Sequence, residues 1–98
     1  MSRYSLRFTR AARAHLRSIG QYTEETWGTE QRDLYLSKLF AGFEAIRKSP
    51  QAGRLRDDLY EELRSKRVQK HVAYYFVKKS QVVIVGVLHE RMDPTRYI

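Results

Sequence analysis

The chain has 98 residues, which is enough for one domain with a modest hydrophobic core, so we predict a single domain over residues 1–98. A hydrophobic content of 42% and an aromatic content of 12% favour a folded globule over disorder, although 31% of residues are charged. The chain has no cysteine, which excludes disulfides, thiolate zinc sites and cysteine nucleophiles and favours a reducing cytoplasm. The apolar runs are too short for a signal sequence or a membrane-spanning helix.

The formal net charge of +8 is unevenly distributed along the chain. Residues 1–19 contain five arginines and no acid, residues 20–62 contain nine acids and six bases, and residues 63–98 contain eight bases and two acids. If the two basic ends meet in the folded protein, they form one positive face that attracts nucleic acid, an acidic protein or the ribosome. The alternative is a basic surface that only keeps the protein in solution.

The first part of the chain predicts a strand followed by a helix. Residues 3–8 alternate between apolar and polar side chains, as in a half-buried strand. Thr9 suits a helix N-cap, and apolar residues then recur at helical spacing as far as Trp27, where Gly28 ends the helix. We expect Trp27 to be a core residue that locks the corner after this helix.

A second amphipathic helix follows, with Thr29 as its candidate cap and Ser49-Pro50 as its end. Its apolar stripe consists of Leu36, Leu39, Phe40, Phe43 and Ile46, and Tyr35 widens it. The short Gly-Thr connection between the two helices predicts an antiparallel helical hairpin.

The remaining chain predicts a loop over residues 50–62, strands over 63–69, 71–78 and 81–88, and a basic tail from 89 onward. The element order is therefore β-α-α-β-β-β. The fold class is α+β, with the N-terminal strand joining a small, mainly antiparallel sheet on which the helical hairpin packs.

The last two predicted strands are apolar on both faces. Strict alternation divides the final strand into one set with Val83, Val85 and Val87 and another with Val82, Ile84 and Leu88. The helical hairpin covers one face only, so the loop, the tail or another protein chain must cover the other. This makes the domain a candidate for an obligate partner.

Five short segments carry a resemblance to a known family. They are Trp27-Gly28, Pro50-Gln51-Ala52-Gly53-Arg54, Leu63-Arg64, His71-Val72-Ala73-Tyr74-Tyr75-Phe76 and Leu88-His89-Glu90-Arg91-Met92-Asp93. With the order of the predicted elements, they resemble the ParE/RelE superfamily of bacterial toxins over nearly the whole chain, and ParE is the closer branch. Glu62 and Glu90 depart from this pattern, because a glycine and a small residue usually stand there; the departures concern local loop shape more than the fold.

The resemblance implies the toxin of a type II toxin–antitoxin system. ParE-like toxins inhibit DNA gyrase by direct binding, without catalytic residues, and a cognate ParD-like antitoxin neutralises them. The antitoxin lays a helix and an extended tail over the toxin's helical hairpin and sheet. The resemblance therefore implies a hetero-oligomeric complex in which any sequence-specific DNA binding comes through the antitoxin.

The alternative is a RelE-like endonuclease that cleaves messenger RNA on the ribosome, which needs a base, an acid and cations around the phosphate. Residues of suitable type are Arg64, Lys66, Arg67, His71, His89, Arg91 and Tyr97. Their spacing does not decide the matter, and we expect structural roles for both histidines, His71 as an edge or capping residue and His89 as a hydrogen-bonding residue. A third alternative is a basic interaction module without toxicity. We expect no cofactor and no metal, because the histidines are scattered and no phosphate-binding glycine loop is present.

Charge placement indicates where such a toxin would contact its target and its antitoxin. The candidate target-binding residues are Arg64, Lys66, Arg67, Arg91, Arg96 and Tyr97, for which a solvated surface is the alternative. The candidate antitoxin-binding residues are Tyr22, Tyr35, Phe40 and Phe43, for which a place in the core is the alternative. We expect His15, on the polar side of the first helix, to be solvated.

Overall fold

The computed structural model describes residues 3–98 and shows an α+β fold, with two helices on one five-stranded sheet. In chain order the elements are β1 (Ser5–Phe8), α1 (Arg10–Trp27), α2 (Thr29–Lys48), β2 (Arg54–Leu55), β3 (Arg64–Val68), β4 (His71–Lys78) and β5 (Gln81–His89). The strand order is β1-β5-β4-β3-β2; β1 runs parallel to β5, and the other pairs are antiparallel. The predicted class is confirmed, and β2 is an additional edge strand in the segment predicted to be a loop.

The first helix starts directly from the first strand because Thr9 serves both elements. Its amide N–H donates to the carbonyl of Ile84 at 3.0 Å, continuing the pairing of β1 with β5. Its Oγ1 accepts a hydrogen bond from the amide of Ala12 at 3.1 Å, which confirms the predicted N-cap. This bond fixes the direction in which α1 leaves the sheet.

The turn between the helices is made by Gly28, whose φ of 94° lies in the left-handed region that favours glycine. Its amide N–H donates to the carbonyl of Glu24 at 2.8 Å and so ends α1. Thr29 is the first residue of α2 rather than its cap, so that prediction is wrong. Trp27 is 70% exposed, so its predicted core role is also wrong. Its neighbours over residues 24–31 are exposed too, because the tip of the hairpin extends away from the core.

The main core lies between the helical hairpin and the sheet. Its fully buried members include Leu39, Phe43, Tyr75 and Ile84, and each such side chain contributes roughly 1.5–3 kcal/mol through burial. Tyr75 also donates its hydroxyl to the carbonyl of Pro50 at 2.7 Å, which ties the end of α2 to the middle of the sheet. The core is therefore fixed by one buried hydrogen bond as well as by packing.

A β-bulge interrupts the pairing of β4 with β5. Tyr74 lies opposite Gly86 and Tyr75 opposite Ile84, so Val85 is an extra residue on β5. The alternation of side chains between the two faces is shifted by one residue at this point. Val87 therefore lies in the main core together with Ile84. The predicted grouping of Val83, Val85 and Val87 on one face is therefore wrong, because strict alternation fails at a bulge.

The second face of the sheet has its own small core of Leu63, Tyr74 and Leu88. The segment between β2 and β3 contributes Leu59, and the tail contributes Met92 and Ile98. The same chain thus covers the face that the helices leave open, and coverage of that face does not by itself require a partner. Over residues 3–98, no helix combines the length and apolarity needed to cross a bilayer.

Candidate functional site

A groove lies between the outer half of the helical hairpin and the ends of the central strands. We call it the hairpin groove; its volume is about 890 Å³. Its lining consists of Ser18, Ile19, Tyr22, Thr23, Trp27, Gln31, Tyr35, Gln69, Lys70, His71 and His89. Tyr22 and Trp27 are 66% and 70% exposed at its rim. Exposed aromatic side chains beside a groove are typical of a protein-binding surface.

A chain of hydrogen bonds through Tyr35 forms the polar end of the hairpin groove. The amide N–H of Lys70 donates to Tyr35 Oη at 3.2 Å, and Tyr35 Oη lies 2.6 Å from Nδ1 of His71. The hydroxyl accepts from the Lys70 amide and still has one hydrogen to donate, so a bond from Tyr35 Oη to His71 Nδ1 satisfies both side chains. Burial raises the pKa of Tyr35, so this hydroxyl keeps its proton at neutral pH. The bonds fasten α2 to the turn between β3 and β4.

His71 and His89 are directly opposite each other on β4 and β5. Their rings are 5.3 Å apart between centroids in an edge-to-face arrangement, and the amide of Arg91 donates to Nδ1 of His89 at 3.2 Å. The pKa of His71 is lowered to about 4, first by burial and second by electrostatic interaction with the neighbouring His89, against a smaller raising effect of Glu90. His71 is therefore neutral at pH 7.

His15 has a structural role that the sequence pattern did not predict. β1 covers only the first half of β5, so the later part of β5 has an open edge. The amide of Val87 on that edge donates to Nδ1 of His15 at 3.2 Å, and burial lowers the pKa of this histidine. The expected solvated role is wrong, because His15 replaces a missing strand partner.

A second cavity, which we call the basic pocket, lies on the other face of the sheet and has a volume of about 430 Å³. It is lined by Arg54, Arg56, Ser65, Arg67, Val72, Tyr74, Glu90, Met92 and Pro94. Arg56 pairs with Asp58 through two bonds of 3.0 Å and lies over the ring of Tyr74 at 5.8 Å. Arg67 pairs with Glu90 at 2.8 Å. Arg54 and Arg56 were not among the predicted site residues, because their segment shows no clear period.

The predicted target-binding residues are distributed over different parts of the surface. Arg64 and Lys66 share the helix-facing side of β3, and Arg67 is on the opposite side. Arg64 donates to the carbonyls of Gln51 and Gly53 at 3.0 and 2.7 Å, so it holds the turn after α2. The tail residues of the set, Arg91, Arg96 and Tyr97, are exposed.

One candidate residue for RNA cleavage, Arg67, lies on the opposite face of the sheet from the two histidines. His71 and His89 line the hairpin groove, whereas Arg67 lines the basic pocket on the other face of the sheet. A phosphate in one cavity would not contact the side chains of the other. Within residues 3–98, no cluster of three or more histidine or acidic side chains is arranged to hold a metal ion.

The predicted antitoxin-binding residues divide into two groups. Tyr22 and Tyr35 line the hairpin groove. Phe40 is 47% exposed and packs against Phe8, away from the groove. Phe43 is fully buried between Phe8 and Phe40, so it belongs to the core and is unavailable to a partner in this conformation.

Comparison with known proteins agrees with this fold over nearly the whole chain. A family profile described as "ParE toxin of type II toxin-antitoxin system, parDE" matches residues 6–94. A protein named Toxin ParE1 from Mycobacterium tuberculosis is 34% identical over 96 residues, which cover 97% of this chain and 96% of that protein. Toxin ParE from Escherichia coli is 32% identical over 86 residues, covering 87% and 84%.

A solved structure supports the same fold. A chain of a structure titled "Chromosomal ParDE TA system from P. aeruginosa" superposes with a TM-score of 0.77 at 19% identity, covering 88% of this chain and 95% of that one. At this identity the superposition establishes the fold alone, while the profile and the sequence relatives establish the family. This chain belongs to the ParE toxin family of type II toxin–antitoxin systems.

Proposed function

We propose that this chain acts in the cytoplasm as a toxin that inhibits DNA gyrase by direct binding and that a ParD-like antitoxin neutralises it. The main support is the match to the ParE family over residues 6–94. A second support is the position of Arg67, which lies on the opposite face of the sheet from His71 and His89 and so cannot act on the same phosphate. A binding mechanism requires only an exposed, chemically distinct surface, and the hairpin groove and the basic pocket are two such surfaces.

The proposed target surface comprises the exposed basic residues at the β3 end of the sheet and in the tail. Lys66, Arg67, Arg91, Arg96 and Tyr97 remain in this proposal because their side chains reach solvent. Arg64 has a supporting role in this target surface rather than a contact role. Its guanidinium is bonded to two backbone carbonyls, so it supports the surface from beneath. An acidic patch on the target would complement such a surface and speed association.

The basic pocket adds to this surface. Arg54 lies opposite Ser65 on the edge of the sheet, and Arg67 projects from the same face. The acids Asp58 and Glu90 neutralise two of its three arginines. The pocket is therefore only mildly cationic, which suits an acidic protein surface better than a densely charged nucleic acid backbone.

The hairpin groove is the proposed antitoxin site. Its exposed aromatic rim and partly apolar lining suit the apolar face of an amphipathic helix. The bound complex would be a hetero-oligomer, and the antitoxin would supply any sequence-specific DNA binding. Tyr22 and Tyr35 stay in this proposal, with Trp27 added to them.

Gyrase supercoiling with the purified chain tests the proposed activity. We expect inhibition by the wild-type protein and a loss of at least about tenfold in the Arg91→Ala/Arg96→Ala double variant, because two peripheral charges are removed together. Lys48→Ala, at the far end of α2, is the matched control and should inhibit as the wild type does.

A parallel assay on translating ribosomes separates gyrase inhibition from messenger RNA cleavage. Cleavage at A-site codons without any effect on supercoiling would replace the proposal with a RelE-like activity. If expression does not arrest growth and the purified protein has no effect in either assay, the chain is a basic module without toxicity. Co-expression of the neighbouring reading frame should restore growth if that frame encodes the antitoxin.

A further inference from the structure

Hydrogen bonds at Nδ1 of the two groove histidines indicate which ring nitrogen carries the proton. Nδ1 of His89 accepts from the backbone amide of Arg91, a group that can only donate. Nδ1 of His71 lies 2.6 Å from the Tyr35 hydroxyl, which accepts from the Lys70 amide and has one hydrogen left to donate to this nitrogen. A neutral imidazole with Nδ1 as acceptor carries its hydrogen on Nε2. Both rings are therefore Nε2–H donors when neutral.

The two Nε2–H groups have access to the hairpin groove. Within residues 3–98, every buried side-chain nitrogen and oxygen has a hydrogen-bond partner. The described contacts of the two rings use only Nδ1, so both Nε2 atoms reach solvent. Both residues line the hairpin groove, and Lys70 lines it beside them. The polar end of the groove thus offers two ring N–H donors and one ammonium group.

This arrangement favours an anionic acceptor over a metal ion. A metal would need the Nε2 lone pairs, but those positions carry the hydrogens, and the Nδ1 atoms are occupied by donors. A carboxylate has two acceptor oxygens that ring N–H donors and an ammonium group satisfy together. Its charge would also complement Lys70.

We infer that the polar end of the hairpin groove is a receptor for a carboxylate, which a partner peptide presents among apolar side chains. The Nε2–H groups of His71 and His89 donate to the carboxylate, and Lys70 balances its charge. The aromatic wall of Tyr22 and Trp27 holds the neighbouring apolar residues. The inference rests on the proposal that this groove receives an antitoxin, and it adds the chemistry that the bound segment must have. The carboxylate comes either from a Glu or Asp side chain or from the end of the partner's chain.

Three capped tripeptides serve as probes for the full-length protein. Acetyl-Trp-Leu-Glu-amide carries a side-chain carboxylate, acetyl-Trp-Leu-Gln with a free carboxyl end carries a terminal one, and acetyl-Trp-Leu-Gln-amide carries none. Binding is followed by NMR of the ¹⁵N-labelled histidine rings. We expect at least one acid peptide to bind about three- to tenfold more tightly than the amide, since a charged acceptor gains more from exposed donors.

The ring signals give a direct readout in the unaltered protein. The Nε2 resonances of His71 and His89 should move with the acid peptide, and those of His15 should not, because its Nδ1 is bonded to Val87 outside the groove. Whichever acid peptide binds more tightly identifies the source of the carboxylate. Equal binding of acid and amide peptides, or no binding of any peptide at about 10 mM, the range of weak ligands, overturns the inference.

Two variants sharpen the test. His89→Phe keeps an aromatic ring but removes the donor, so it should abolish the preference for acid peptides while the amide still binds. Lys70→Ala should weaken acid binding, whereas Lys48→Ala removes the same charge far from the groove and should not. The titration needs neither gyrase nor an antitoxin, so a negative supercoiling assay leaves this result intact, and a negative titration leaves the proposed toxicity intact.

Discussion

The two faces of the sheet are covered by different kinds of structure. The helix-facing side is sealed by two long regular helices and holds a core that includes Leu39, Phe43 and Tyr75 at no exposure. The opposite side is sealed by a loop and the tail, whose apolar residues Leu59, Met92 and Ile98 are only partly buried. Both kinds of cover bury core residues completely, Leu63 on the second face among them, and each leaves one cavity at its margin. One sheet supports both because its two faces are packed independently.

A loss of stability comparable to that of emptying a buried leucine site should come from Gly53→Ala, at the rim of the main core. A Cβ at this position would overlap the Tyr75 hydroxyl, which is itself held by the Pro50 carbonyl. We expect a loss of about 3 kcal/mol in unfolding free energy, from overpacking and a broken buried hydrogen bond. Chemical denaturation measures it. The Gly53→Ala/Tyr75→Phe double variant should lose less unfolding free energy than the two single variants lose together. Strict additivity of the two losses would contradict this account.

The comparison of the two faces is tested most directly by matched leucines. Leu39→Ala on the helix side and Leu63→Ala on the other side each empty a fully buried site. Both should destabilise the protein by about 2–5 kcal/mol, with Leu39→Ala the larger, because the loop and tail around Leu63 can close on the cavity. The urea unfolding midpoints of the two variants show which loss is larger. An equal or larger effect of Leu63→Ala would show that the second face is equally rigid.

A smaller effect is expected on the unfolding free energy at acidic pH. The pKa of His71 is about 4 in the folded protein and 6.5 in the unfolded chain, so the unfolded chain binds the proton more tightly. The stabilisation is complete above pH 6.5 and is lost as pH falls toward 4. After allowing for solvent screening of the half-buried ring, it amounts to about 1–2 kcal/mol. Denaturation of wild type and His71→Phe at pH 7 and at about pH 4.5 measures the difference, which should be smaller in the variant. An unchanged pH dependence would contradict this assignment, since His15 and the carboxylates are common to both proteins.

The smallest effect should come from the ion pair between Arg67 and Glu90 at the rim of the basic pocket. The side chain of Arg67 is 66% exposed, so Glu90→Gln should change the unfolding free energy by less than about 0.5 kcal/mol. The same change leaves Arg67 unneutralised. If the pocket contacts an acidic target, gyrase inhibition should rise or stay level in this variant, and a marked fall would argue against that surface.

The regular elements were predictable from the sequence because their periods are local. The alternation over residues 3–8, the cap at Thr9 and the stop at Gly28 all appear in the structure. The strand β2 was missed because its two residues carry no period and pair only once β3 is in place. Trp27 was misplaced because helical spacing shows which side of a helix is apolar but not where the sheet beneath it ends.

The candidate site was only partly predictable for the same reason. Tyr22 and Tyr35 flank apolar stripes, and spacing alone brought attention to them. His71 and His89 lie opposite each other only because of the register between two strands. The role of His15 depends on the short length of β1. None of these has a local signature. The arginines of the basic pocket likewise come together only in the folded sheet.

The extra residue at the β-bulge has a consequence for the hairpin groove. Before the bulge, Val82 and Ile84 face the helices; after it, Val87 faces them, and His89 lies opposite His71. If the same residues alternated strictly, with no bulge, His89 would be on the other side of the sheet, beside the basic pocket. A one-codon deletion at Val85 would remove the extra residue instead, so that Gly86 follows Ile84 in regular alternation and His89 stays opposite His71. The bulge thus lets the strand hold one more residue without moving this histidine out of the hairpin groove.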